Sequence, residues 1–314
     1  MRGVFWILQR GAAVAAVAAL AAASTSERAW AWGPTGHQLI NSLAAANLPA
    51  EMPEFLRDTR GQAAMAYYGP EPDRWRSPLE PELNAAQAPE HFIDLEYADL
   101  VGELPKRRYD YVRALAVVQA AHPDLPLSVE KVGLQPYVVE EVWERLKAAM
   151  RAYRQLQAAK ADTQPVEAEI LFYAGWLGHY VGDASNPLHT TTQYNGWTGA
   201  NPKGYTTAHT IHAQFETAFV DAAVKSNEVG AEVAAAKPKL IEDEWTQYMA
   251  YLRQSHTLVE TTYALEKDGG YVGTGTPAAR AFMEQQLAAG AVELRDLIYT
   301  AWVRSADPEP ERKG

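Results

Sequence analysis

The 314-residue chain contains no cysteine. That excludes a disulfide framework, and it leaves only nitrogen and oxygen donors for any metal site. Positive charge is scarce: 28 Lys and Arg face 39 Asp and Glu, giving a formal net charge of −11. Such a balance offers no general attraction to a polyanion, because that attraction rests on Lys and Arg releasing counterions. A phosphate-bearing substrate would have to be drawn in locally, which bound metal can do. Strand-like alternation and internal repeats are missing. No segment is long and apolar enough to span a bilayer. The apolar run at 11–23 has 13 residues, against the roughly 20 required.

That run has another meaning. Arg2 and Arg10 give a positive start, and Ala29-Trp30-Ala31 is a small-x-small cleavage signal. The spacing predicts a signal peptide over 1–31, cut after Ala31, and a secreted or periplasmic mature chain of one domain over 32–314. Its loss removes three arginines and one glutamate, which moves the charge from −11 to −13.

Hydrophobic residues make up 47% of the chain, enough for a sizeable core. The mature chain reads as all-α. A short helix follows His37. A long irregular stretch, rich in Pro, Gly and acidic residues, covers roughly 58–106. Apolar residues at three- and four-residue steps predict helices over 107–121 and 136–160. Pro165 suits the first turn of the next, which runs to about 184. A polar loop spans 190–207. Further helices are expected at 208–224, 228–264 and 278–304, the last capped by Thr276 with Pro277 in its first turn.

The chemistry-bearing residues fall in five segments. In Leu177-Gly178-His179-Tyr180-Val181-Gly182-Asp183-Ala184-Ser185-Asn186-Pro187-Leu188-His189, His179 and Asp183 lie four apart and share a helical face. Pro187 turns the chain and brings His189 back. Gly182 would let another backbone approach. His212 and Glu216 repeat the four-residue spacing. The others are Asp73 before Arg74-Trp75-Arg76, His91-Phe92-Ile93-Asp94, and Trp32-Gly33-Pro34-Thr35-Gly36-His37. Any one His/acid pair can be an ordinary surface pair. Together these segments hold five of the eight histidines, with carboxylates at ligand spacing. Mixed N/O donors suit Zn²⁺.

The set resembles the zinc superfamily that joins single-strand-specific secreted nucleases to bacterial zinc-dependent phospholipase C. Members begin their mature chain with a Trp whose amino group and carbonyl bind zinc, and the cut after Ala31 leaves Trp32 in that place. The resemblance implies an all-α phospholipase C or zinc nuclease-like fold around a cleft with three zinc ions. Asp73, His91, His179 and Asp183 would hold the first. Trp32, His37 and again Asp183 would hold the second, and His189, His212 and Glu216 the third. Hydroxide between the two zincs bridged by Asp183 would attack phosphorus in line. Asp73 and Asp183 would thus serve catalysis as well as binding. Arg76 resembles the nuclease branch's Asp-x-x-Arg and would grip the phosphate; its alternative is a surface pair with Glu71 or Glu80. Asp94 would orient a ligand histidine. His209 would face the cleft or serve as a surface or capping residue.

Substrates from two classes fit. Trp32-Gly-x-x-Gly-His37, Asp73-x-x-Arg76 and His91-Phe-Ile-Asp94 favour a nuclease giving 5′-phosphate products from single-stranded nucleic acid. Glu216, where that branch usually has Asp, favours a phospholipase C, and Gly199-Ala200-Asn201 matches the nuclease loop only in part. A secreted zinc-binding protein without turnover is the third reading. Tyr67, Tyr68, Trp75, Tyr194, Trp197 and Tyr205 flank the motifs and could stack bases or cage a quaternary ammonium. No protein partner is expected, and the chain is expected to be a monomer.

Overall fold

A computed structural model describes residues 32–308. The signal-peptide expectation falls on 1–31, outside the described residues. Within them the all-α reading holds, with two isolated bridges and no strand.

The centre is the helix Gln164–Ser185. It packs on Gly33–Ala46, Thr59–Tyr68, Gln135–Ala158, Glu244–His256 and Pro277–Arg304. From Leu177 to Ser185 every residue is buried, so this end has no wet face. Such enclosure explains why His179 and Asp183 sit at the heart of the molecule. It also needs small residues where neighbours approach. A Cβ on Gly178 would lie 1.8 Å from Asn41 Oδ1. At Gly182 the close neighbours are the side chains of His37 and Ile40, not another backbone.

Three sequence expectations need correction. The first helix starts at Gly33 with Pro34 in its first turn, so His37 lies inside it. The stretch 58–106 contains the helices Thr59–Tyr68, Glu71–Trp75 and Pro81–Gln87. Its prolines start helices rather than break them: Pro72 and Pro81 occupy first-turn positions, where no N–H is needed. Asp58 caps the first of the three by accepting from Gly61 N at 2.7 Å. Finally, 228–264 is three helices, Ser226–Ala235, Glu244–His256 and Val259–Lys267. Pro238 disfavours helix at the residue before it, and Asp243 starts the second by capping Thr246 N. The last helix, Pro277–Arg304, is capped by Thr276 accepting from Ala279 N, as expected.

Candidate metal centre

Helical spacing delivers the first two side chains. His179 Nε2 stands 3.4 Å from Asp183 Oδ2. His91 arrives from the turn after Ala88–Glu90, its Nδ1 3.0 Å from His179 Nε2 and 3.2 Å from Asp183 Oδ2. Asp73, in the middle of the short helix Glu71–Trp75, puts Oδ1 3.9 Å from His91 Nδ1 and 4.0 Å from His179 Nε2. His37 stacks on His179 at 4.0 Å between centroids, with Nε2 3.4 Å from Asp183 Oδ1. Asp183 thus turns one oxygen to His37 and the other to His91 and His179. A carboxylate turned this way could bridge two metal ions.

The third group lies beyond Pro187. Asn186 Oδ1 accepts from Leu188 N and folds the chain into a 3₁₀ turn that carries His189. His189 Nε2 is 3.1 Å from His212 Nε2 and 3.5 Å from Glu216 Oε2. His212 Nε2 is 2.8 Å from Glu216 Oε2. Glu216 sits in a π turn, Gln214–Ala218, a wider turn that often marks functional positions.

Three histidines share one device. The Nδ1 of His179 faces Gly69 O at 2.8 Å, that of His189 faces His91 O at 2.7 Å, and that of His212 faces Tyr194 O at 2.9 Å. A carbonyl only accepts, so each Nδ1 carries a proton, and in the neutral ring it is Nε2 that has a lone pair to turn inward. Carbonyl partners of this kind fix ligand histidines in metal sites. Two groups are also clasped together. His189 donates to His91 O, while Ile93 N donates to His189 O at 3.0 Å and Leu95 N to Thr190 O at 3.1 Å.

The carboxylates of this arrangement have few donors around them. Both oxygens of Asp73 and of Asp183 are buried and accept no hydrogen bond, nor does Glu216 Oε1. Burial, and then neighbouring carboxylates, push the Asp183 carboxyl far above its usual range. Burial also raises Asp73, against the pull of Arg76. Burial first, then Arg76 for His91 and the neighbouring His37 and His91 for His179, holds both rings well below the ordinary histidine value. Unpaired buried carboxylates beside neutral imidazoles are costly unless a cation joins them. Three groups could hold metal ions: His37, Asp73 and His179; His91, His179 and Asp183; and His189, His212 and Glu216. The first two share His179 and differ in partition from the expected sets, but they draw on the same residues.

Trp32 is fully buried, and its indole Nε1 donates to Gly182 O at 2.6 Å and Ser185 Oγ at 2.8 Å. These bonds pin the residue against the helix segment that carries Asp183. Arg76 is half-buried, with Nη1 4.0 Å from Asp73 Oδ1. Glu71, one of its two possible surface partners, pairs with Arg74 instead. Arg76 lines a cleft of about 250 Å³ together with Phe92, Asp94, Lys131, His189, Tyr194 and His212.

Other expectations move. Asp94 makes no side-chain bond to a ligand histidine among the described residues. It lines the cleft, where burial and then Glu96 lift its carboxyl to about 8. Of the six flanking aromatics only Tyr194 lines this cleft. Tyr67 packs under Arg74, Tyr68 on Phe172, Trp75 on Trp176, and Trp197 with Tyr205 on Tyr263. His209 is exposed and bonds Asn195 O through Nδ1. Sequence reasoning missed Lys131 and the aromatic ring of Phe92. The latter sat beside a singled-out histidine, and that adjacency was the available signal.

A search of curated proteins found no match. Among solved structures, the chain is similar to the alpha-toxin of Clostridium perfringens from an avian strain. The likeness covers 87% of this chain and 64% of that one, at 13% identity and a TM-score of 0.39. The family model described as S1/P1 Nuclease matches residues 32–301, and its match begins at Trp32. The chain belongs to the S1/P1 nuclease family.

Proposed function

We propose that the chain is exported, cut after Ala31, and acts as a three-zinc phosphodiesterase that hydrolyses single-stranded nucleic acid to products with a 5′-phosphate. The observation that carries this reading is the set of inward-turned imidazole Nε2 atoms meeting buried, unbonded carboxylate oxygens, beside a cleft that His189 and His212 line. Asp73, His91, His179 and Asp183 would hold one zinc. Trp32, His37 and Asp183 would hold a second, and His189, His212 and Glu216 a third. Zinc supplies Lewis acidity and brings the pKa of water to about 7.

The chain's own residues do the rest. Asp183 keeps two groups at a fixed separation, one oxygen to each side. Arg76 offers a charged fork to the phosphate oxygens and lies beside Asp73. Phe92 and Tyr194 present rings in the cleft next to His189 and His212, suited to stacking a base. Asp94, which lines the same cleft, has a carboxyl that can donate as well as accept near neutral pH.

A second reading, a phospholipase C, draws on Asp94, Glu130 and Tyr194 in the same cleft, since carboxylates and an aromatic face can hold a quaternary ammonium. One experiment separates the two. The mature protein is purified, its zinc counted, and single-stranded DNA, RNA and phosphatidylcholine are offered in parallel. Cleavage of lipid alone overturns the first reading. Bound zinc with no cleavage of any of the three overturns both.

A further inference from the structure

Arg76 and Lys131 are the two cations among the residues that line the cleft, and several basic residues elsewhere in the chain are already paired. Arg108 is held by Glu90 and Glu141, each at 2.9 Å, and Lys106 by Glu140 and Glu244, each at 3.2 Å. Arg74 is taken by Glu71. Lys131 lines the cleft with its side chain exposed, and among the described residues its ammonium has no ion-pair or hydrogen-bond partner.

The backbone beneath it is fixed. The short helix Val129–Val132 is tied to the segment that carries His91 and Phe92. Asp94 N donates to Val132 O at 2.8 Å, Leu134 N to Pro89 O at 2.6 Å, and Gln135 N to Phe92 O at 3.2 Å. Gly133 closes the join at φ 94°, and a Cβ there would lie 2.0 Å from Phe92 O. Lys131 is therefore mounted on the same rigid unit as a candidate metal ligand and a candidate base platform. A lysine in that position is a point charge on a long, adaptable stem. The metal groups and Arg76 already answer one phosphate. A second cation lining the same cleft, in a chain of net charge −11, is suited to a substrate that carries more than one phosphate.

We propose that Lys131 binds a phosphate neighbouring the scissile one, so that this cleft selects a nucleic-acid strand over an isolated phosphodiester. The assignment rests on the nuclease reading above.

The test compares a dinucleoside monophosphate with the same molecule bearing a further phosphate on its 5′ or 3′ oxygen. For the wild-type enzyme, one of the two additions should lower KM by about threefold at 0.1 M salt. In Lys131→Ala that advantage should vanish, and in Lys131→Arg it should persist. Binding of a cleavage-resistant phosphorothioate oligonucleotide, followed by fluorescence anisotropy, gives an independent readout. The slope of log affinity against log salt should shrink by about 0.7 in the alanine variant. A Lys131→Ala variant that keeps both the KM advantage and the slope overturns the assignment. So does a wild-type enzyme that cuts the dinucleotide but gains nothing from either added phosphate. A wild-type enzyme that cuts phosphatidylcholine and no dinucleotide overturns the nuclease reading itself.

Discussion

Glu293 offers a quantitative test of how this core handles buried charge. It lies on the last helix, 6% exposed. Oε2 accepts from Gln247 Nε2 at 3.3 Å, and Oε1 is buried without a partner. Burial is the main cause that lifts its carboxyl from 4.5 to about 7. The folded state therefore prefers the protonated form. Below about pH 4.5 the group is neutral in both states and costs nothing. As pH rises toward 7 the unfolded chain ionises first, and a penalty grows until the folded form ionises too. Each unit corresponds to about 1.4 kcal/mol, so the full penalty is about 3 kcal/mol above pH 7. Glu293→Gln keeps the shape and the acceptor for Gln247 while removing the charge. Urea unfolding of the zinc-loaded mature protein at pH 4.5, 6 and 8 should show a stabilisation that is near zero at the lowest pH. It should approach about 3 kcal/mol at the highest, less whatever the new unpaired N–H costs. A difference that does not change with pH, or a variant less stable than wild type at pH 8, would refute the reasoning.

Three further outcomes are expected. A protein with extra residues before Trp32 should bind less zinc and lose activity, because an amide nitrogen cannot replace a free amine; full zinc content by atomic absorption would contradict this. Asp183→Asn should lower zinc content by more than one equivalent, since its two oxygens face two groups, whereas His212→Ala should empty one. Zinc binding should release protons and tighten as pH rises, because Asp73 and Asp183 are pushed up when the metal is absent and must ionise to bind. Calorimetry in two buffers of different ionisation enthalpy reads the proton count, and equal heats would oppose the claim.

Part of the candidate site was readable because helical spacing alone brings His179 to Asp183 and His212 to Glu216. The turn at Pro187, which carries His189 toward His212, was legible for the same local reason. What could not be read is what depends on distant pieces meeting. The cleft wall arises where 89–94 pairs with 132–135, so Lys131 and Phe92 become neighbours only in three dimensions. The carbonyls of Gly69 and Tyr194 that orient the histidines belong to turns whose side chains give no hint of the role. The helices within 58–106 were hidden because proline reads as a breaker unless its place in the first turn is known. Most of the flanking aromatics pack against other rings, and those partners are distant in sequence.

The clasp between His189 and His91 has a mechanical meaning. Each segment holds the other through main-chain and ring contacts, so neither group of ligands can drift without dragging its neighbour. On the proposed function, a substrate gripped at one end of the cleft would meet a second end already set in place. Folding, rather than substrate arrival, establishes that placement, and the reaction begins with little structural rearrangement left to make.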